Sequence, residues 1–270
     1  MSNDSMTRLL QVMETLRSPD RGCPWDIEQT LESLVAFTLE EAYEVADCIE
    51  RRDYENLVGE LGDLLFQVVF YAQIGKEQDL FDFDDIAGAI ASKLVSRHPH
   101  VFEAEESISA EQQSRRWEEL KANERRQRYG NKLSVLADVP LALPALMRAQ
   151  KIQKRAARVG FDWPSADGAR SKIMEELAEL AQAQHDGNPV EIEEEFGDLL
   201  FSCVNLSRFL GLDSESALRA ATAKFEQRFR ALETELSNEG LSIESQDLDA
   251  LERRWETIKR AQKKRAPKHP

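Results

Sequence analysis

The residues best suited to chemistry in this 270-residue sequence are carboxylates, and they come in two matched sets. Glu40-Glu41-Ala42-Tyr43-Glu44 is followed by Glu60-Leu61-Gly62-Asp63, and Glu175-Glu176-Leu177-Ala178-Glu179 is followed by Glu195-Phe196-Gly197-Asp198. Both read E-E-x-x-E and then E-x-G-D, at a constant offset of 135, and eleven of the thirty positions in 40–69 recur in 175–204. On a helix, residues three and four apart share a face. Glu41 and Glu44 therefore project together, Glu60 and Asp63 do so on the next helix, and Glu176, Glu179, Glu195 and Asp198 repeat the arrangement. At an effective dielectric of about 20, each like-charge pair at ~4 Å costs roughly 4 kcal/mol. Several such pairs rival the ~5–15 kcal/mol net stability of a domain, so a bound cation is expected to offset them. An all-oxygen, histidine-free ligand set suits a hard ion, Mg²⁺ with Mn²⁺ as substitute. Di-iron chemistry would call for Glu-x-x-His spacing, which is absent. One acidic motif alone is ordinarily a solvated face. The flanking Leu and Phe, the glycines Gly62 and Gly197 at points of expected close helix approach, and the second copy favour the metal reading.

These carboxylates need two antiparallel helices per copy, and the hydrophobic spacing supplies them. The pattern predicts helices over about 6–17, 30–51, 54–74 and 84–97 in the first half, with Arg21-Gly22-Cys23-Pro24-Trp25-Asp26 as a loop and His98-Pro99-His100 as a stop. Residues 109–128 read as a charged, exposed helix docked through Trp117 and Leu120. The second half repeats the order: a helix near 145–157, a loop at Gly160-Phe161-Asp162-Trp163-Pro164, two acidic helices either side of Gly187-Asn188-Pro189, and a helix over about 214–236. Arg253-Arg254-Trp255-Glu256 repeats Arg115-Arg116-Trp117-Glu118. The expected architecture is all-α, two tandem homologous helical-bundle domains at 1–129 and 130–262, with a basic disordered tail at 263–270.

Basic residues recur at matching places. Lys93 and Arg97 lie four apart, as do Lys224 and Arg228; either pair can grip phosphate oxygens or bridge back to local acids. Trp117 with Lys121 and Trp255 with Lys259 repeat the spacing, and each Trp serves either as a core anchor or as a stacking surface for a base. Trp25 and Trp163 carry the same two readings. No G-x-x-x-x-G-K-[ST], H-E-x-x-H or G-x-S-x-G is present.

The formal charge of −15 argues against a general nucleic-acid binder, though metal can carry a nucleotide substrate. Cys23, Cys48 and Cys203 form no C-x-x-C pair, which fits a reducing, cytoplasmic setting. The N-terminal stretch lacks a signal-peptide core, and no apolar run approaches the roughly 20 residues that cross a bilayer.

The doubled E-E-x-x-E…E-x-x-D signature, with G-C-P-W-D before the first copy and R-H-P-H-V-F after it, closely resembles the MazG family of bacterial nucleoside triphosphate pyrophosphohydrolases, in the all-α NTP pyrophosphatase superfamily. The resemblance covers almost the whole chain. It implies a homodimer of helical-bundle domains with sites where partner helices meet, and Mg²⁺-dependent hydrolysis of nucleoside triphosphates to monophosphate and pyrophosphate. It implies Glu176, Glu179, Glu195 and Asp198 as metal ligands, with Glu175 as a further ligand or water-positioning base. Lys224 and Arg228 would hold the triphosphate, helped by Lys172 and Lys259, and Trp255 would face the nucleoside. The first half offers Glu40, Glu41, Glu44, Glu60, Asp63, Lys93 and Arg97, but Phe37 stands where Lys172 does, so the second half is expected to be the stronger site. Two rivals follow: a narrow dUTP or dCTP pyrophosphatase, and a non-catalytic helical interaction protein whose acids merely bind cation.

Overall fold

The protein is described by a computed structural model, in which residues 2–102, 109, 112, 113, 116, 117, 120 and 134–265 are described. Every described element is helical, in two tandem all-α units, Met1–Arg128 and Tyr129–Pro270. The first contains α1 (Ser2–Leu16), α2 (Pro24–Glu28), α3 (Val35–Arg51), α4 (Leu57–Glu77), α5 (Phe83–Arg97) and α6 (Pro99–Phe102). The second contains α7 (Ala145–Arg158), α8 (Ala166–Asp186), α9 (Pro189–Phe209), α10 (Ser214–Asn238), a 3₁₀ turn at Ile243–Ser245 and α11 (Leu248–Arg265).

The acidic motifs lie on two helical hairpins, α3–α4 and α8–α9, and the latter pair is the most extensively packed in the molecule. Their connecting turns solve one steric problem differently. The residue after α3 and the residue after α8 both adopt the left-handed conformation; the first is Arg52 (φ 59°) and the second Gly187 (φ 69°). These positions correspond under the offset of 135. Gly187 reaches that geometry without a Cβ penalty, whereas Arg52 carries one. The start of α9 is then fixed by Asn188, whose side chain accepts from the Val190 amide, and by Pro189 in the first turn.

In the first unit, Met13, Leu34, Val69, Phe70 and Ile74 form a fully buried cluster joining α1 to α4. Arg17 ties the end of α1 to α2 and the residue after it, and to α4. Its guanidinium donates to the Gln29 carbonyl at 3.1 Å, to the Asp26 carbonyl at 2.5 Å and to the Glu77 carboxylate at 2.6 Å. In the second unit, Leu232, Leu236 and Ile258 join α10 to α11. There α7 is stitched to α9 and the loop after it by two buried amides: Gln153 Nε2 donates to the Phe201 carbonyl at 2.8 Å and Gln150 Nε2 to that of Leu212 at 2.7 Å.

Several expectations need correction. The segment 21–26 is not all loop, since α2 begins at Pro24; α3 starts only at Val35, after a turn over 31–34. The helix α11 runs through Arg265, into the expected tail, and 266–270 fall outside the described residues. Most of the expected 109–128 helix also lies outside them. Among the described residues, Gly62 and Gly197 mark no close approach, because a Cβ on either meets nothing within 4 Å. Their neighbours explain why: Val58, Leu61, Phe196 and Leu200 are exposed, so this face of each hairpin is uncovered. One described helix, α4, is long and apolar enough to cross a bilayer, but it carries Glu60 and Asp63 and packs Val69, Phe70, Ala72 and Ile74 into the core.

The mismatched caps give a direct test. Arg52→Gly is expected to raise stability by up to about 1 kcal/mol and Gly187→Ala to lower it by about 1 kcal/mol, read as opposite shifts of the urea midpoint at constant slope.

Candidate active site

Each hairpin brings three carboxylates together. In α8–α9, Glu176, Glu179 and Glu195 offer oxygens that all lie within 4.8 Å of one another, and in α3–α4 Glu41, Glu44 and Glu60 do the same. Glu176 is buried at 3% exposure, so the second trio has a floor removed from solvent. Asp63 and Asp198 fall outside the trios but stand close enough to press on Glu41 and Glu195.

The electrostatics carry the signature of crowded acids. Loss of solvent raises the Glu195 carboxyl above its ordinary range, and Glu179, Glu176 and Asp198 push the same way. Glu41 is raised by burial, then by Asp63 and Glu44. The halves differ in what answers this repulsion. Lys172 Nζ sits 2.7 Å from Glu175 and 2.7 Å from Glu176, and hydrogen bonds to both hold its ammonium well above the usual lysine range. At the matching position in the first hairpin, Phe37 packs edge-on to Trp25 with ring centroids 5.6 Å apart. A fixed ammonium is thus replaced by an apolar contact. All-oxygen trios with raised carboxyls fit a hard divalent cation as ligands.

The remaining sequence-predicted residues lie beside the trios or on other elements. Glu40 and Glu175 are exposed, beside their trios. Lys93 and Arg97 lie on α5, Lys224 and Arg228 on α10, and Arg228 Nε donates to Gln262 Oε1 at 2.9 Å. Lys259 makes the local alternative, an ion pair with Glu256 at 2.6 Å. Trp255 is half-buried and packs against the Leu232–Leu236–Ile258 cluster, with the Phe225 ring centroid 5.1 Å away. Trp117 meets the His98 ring edge-on at 5.4 Å. Sequence reasoning missed Arg17 and Gln153, whose partners lie 60 and 48 residues away; hydrophobic periodicity gives no signal for such contacts.

Comparison with known proteins adds the lineage of the hairpins. The MazG nucleotide pyrophosphohydrolase domain matches twice, over residues 29–102 and 166–232. The chain belongs to the MazG family. A nucleoside triphosphate pyrophosphohydrolase of Escherichia coli strain K12 is 48% identical over 95% of this chain and 98% of its own length. The nucleoside triphosphate pyrophosphohydrolase/pyrophosphatase MazG of Thermotoga maritima is 45% identical over 93% of this chain and 94% of its own. Both MazG matches contain a complete acidic hairpin, and the second also spans Lys172, Lys224 and Arg228. Trp255 and Lys259 lie outside the matched segments.

A raised carboxyl binds its proton more readily in the folded chain than in the unfolded one. Its ionised form therefore costs stability at neutral pH, and that cost fades as pH falls through the folded value. Glu195→Gln is accordingly expected to raise the metal-free Tm at pH 7 and to shrink the Tm increment produced by Mg²⁺. A lower metal-free Tm with the wild-type Mg²⁺ increment would contradict the repulsion described here.

Proposed function

We propose that the protein is a homodimeric, cytoplasmic nucleoside triphosphate pyrophosphohydrolase that clears nucleotides of broad base and sugar type, using Mg²⁺ or, in its place, Mn²⁺. The observation that carries the reading is the convergence of Glu176, Glu179 and Glu195 on one hairpin with Lys172 braced against them. The near full-length relatives, named as nucleoside triphosphate pyrophosphohydrolases, support the reaction, here hydrolysis to monophosphate and pyrophosphate.

The ligands would be Glu176, Glu179, Glu195 and Asp198, and a divalent ion there supplies Lewis-acid polarisation of phosphate oxygens and an acidified water. The chain's own groups do the rest. Lys172 has three donors, two engaged by Glu175 and Glu176, leaving one for a phosphate oxygen. Glu175, exposed beside the trio, takes the proton of the attacking water as general base. Lys224 and Arg228 neutralise the departing pyrophosphate. The first hairpin, with Glu40, Glu41, Glu44, Glu60, Asp63, Lys93 and Arg97, holds a second cation site of lower activity, since Phe37 removes the braced ammonium.

The dimer is supported by the uncovered faces. Val58 and Leu61 on α4, and Met174, Val190 and Phe196 on α8 and α9, are 77%, 48%, 66%, 71% and 52% exposed, apolar side chains that a partner would cover. Open space at Gly62 and Gly197 gives a partner helix room to approach. Domains at 1–129 and 130–262 then repeat one bundle unit. The acidic balance leaves nucleic acid a poor partner.

Product analysis of the eight common NTPs and dNTPs with Mg²⁺ tests the reading. Wild-type protein, eluting at twice 30.8 kDa, should release pyrophosphate from all eight. Glu179→Gln should lose at least about a hundredfold in kcat, and Glu44→Gln should keep most of it. Turnover of dUTP or dCTP alone would favour the narrow-specificity rival, and release unaffected by Glu179→Gln would remove the site assignment.

A further inference from the structure

We propose that Gln67 lends its amide oxygen to a divalent cation at the first hairpin, a role that rests on the reading of Glu41, Glu44 and Glu60 as a cation site and adds to it a ligand outside the acidic motif.

Gln67 lies on α4 and is only 4% exposed, yet its Oε1 is buried with no hydrogen-bond partner among the described residues. An acceptor shut away from water destabilises the fold unless a donor or a cation meets it. Its neighbours fix where it stands. Glu60, Asp63, Gln67 and Tyr71 succeed one another at three- and four-residue steps, so they form one stripe along α4. Both ends of that stripe face α3. At one end Glu60 stands with Glu41 and Glu44, their oxygens within 4.8 Å, and burial and then Asp63 raise the Glu41 carboxyl. At the other end the Tyr71 and Thr38 hydroxyls share a hydrogen bond of 2.9 Å. Gln67 is one turn beyond Asp63 and one turn short of Tyr71, about 6 Å along the helix from each. Its side chain is therefore enclosed between the acidic trio and the Thr38–Tyr71 bond.

Nothing at either end can donate to it. The Thr38 hydroxyl gives its proton to the Leu34 carbonyl at 3.0 Å, so Tyr71 donates to Thr38 and neither hydroxyl has a proton left for Gln67. Ionised carboxylates are acceptors only. A cation is the one group that satisfies the amide oxygen and the acids together, and amide oxygens serve beside carboxylates as ligands of hard divalent ions. Being neutral, Gln67 adds a ligand without adding to the repulsion. Under the offset of 135 its counterpart is Ser202, 7% exposed, whose hydroxyl sits two bonds closer to the backbone. The first hairpin thus has the longer oxygen ligand and Phe37, where the second has Ser202 and the ammonium of Lys172. One arrangement lets the chain ligate the ion itself; the other keeps charge available for phosphate.

Mn²⁺ binding at the first hairpin is read by electron paramagnetic resonance in full-length Glu179→Gln protein, whose second hairpin is weakened, with Gln67 kept or changed to Met or Glu. Gln67→Met keeps the length, loses the oxygen and takes an unmet acceptor out of the interior, so folding is retained. Gln67→Glu keeps the oxygen and adds charge. The Mn²⁺ dissociation constant is expected to rise about tenfold with Gln67→Met and to fall below the parent value with Gln67→Glu. Unchanged binding in both variants would overturn the ligand role while leaving the cation reading of the hairpin intact. Weaker binding with Gln67→Glu would do the same, since that is the result expected if Nε2 merely donates to the neighbouring acids. No Mn²⁺ at the first hairpin of the parent protein would overturn both.

Discussion

Like charges forced together across a helical hairpin are the constraint around which this protein is built. Glu176, Glu179 and Glu195 approach within 4.8 Å of one another, and the folded chain tolerates this only because something positive answers them. In part that is Lys172, bridging Glu175 and Glu176 from one turn earlier on the same helix. A single ammonium cannot neutralise five acids, so the remaining field is available to a divalent ion and, through it, to a polyanionic substrate. Stability and binding thus draw on one set of residues. The hairpin is least comfortable without its ligand, which is how a site with strong affinity for cation is expected to behave.

The two hairpins carry the same carboxylates in different surroundings. The second has the lysine, a glycine cap at Gly187 and a buried Glu176. The first has Phe37 against Trp25, a strained Arg52 cap and a Glu41 that is only half-buried. The first unit also has the α1–α4 core of Met13, Leu34, Val69, Phe70 and Ile74 and the Arg17 clamp. Under the proposed function, the first copy would lean toward a structural role and the second would keep the groups that meet phosphate. Exposed apolar residues on both hairpins, Val58 and Leu61 on one and Met174, Val190 and Phe196 on the other, are what the proposed dimer would cover.

Most of the helical order was legible because helical periodicity is local. The acidic motifs, their pairing across α3–α4 and α8–α9 and the turn at Gly187 follow from spacing within forty residues. Helix ends were less so: α3 begins at Val35 rather than near Thr30, because side-chain bonds between Thr30 and Ser33 hold a turn that hydrophobic spacing does not register. Gly62 and Gly197 misled because a small residue on a helix says that something can approach without saying from which chain. The packing of Trp255 on Phe225 depended on where α10 and α11 meet. The Gln153–Phe201 and Arg208–Asp162 contacts depended on tertiary proximity across more than forty residues, for which one sequence carries no periodic signal.

Electron paramagnetic resonance of Mn²⁺ titrated into the metal-free protein tests the central claim most directly, because it counts bound ions without requiring turnover. Wild-type chain should bind Mn²⁺ at both hairpins, with Glu44→Gln weakening only one class of site and Glu179→Gln only the other. Equal binding by all three proteins would contradict the convergence of carboxylates on a cation from which the rest was derived.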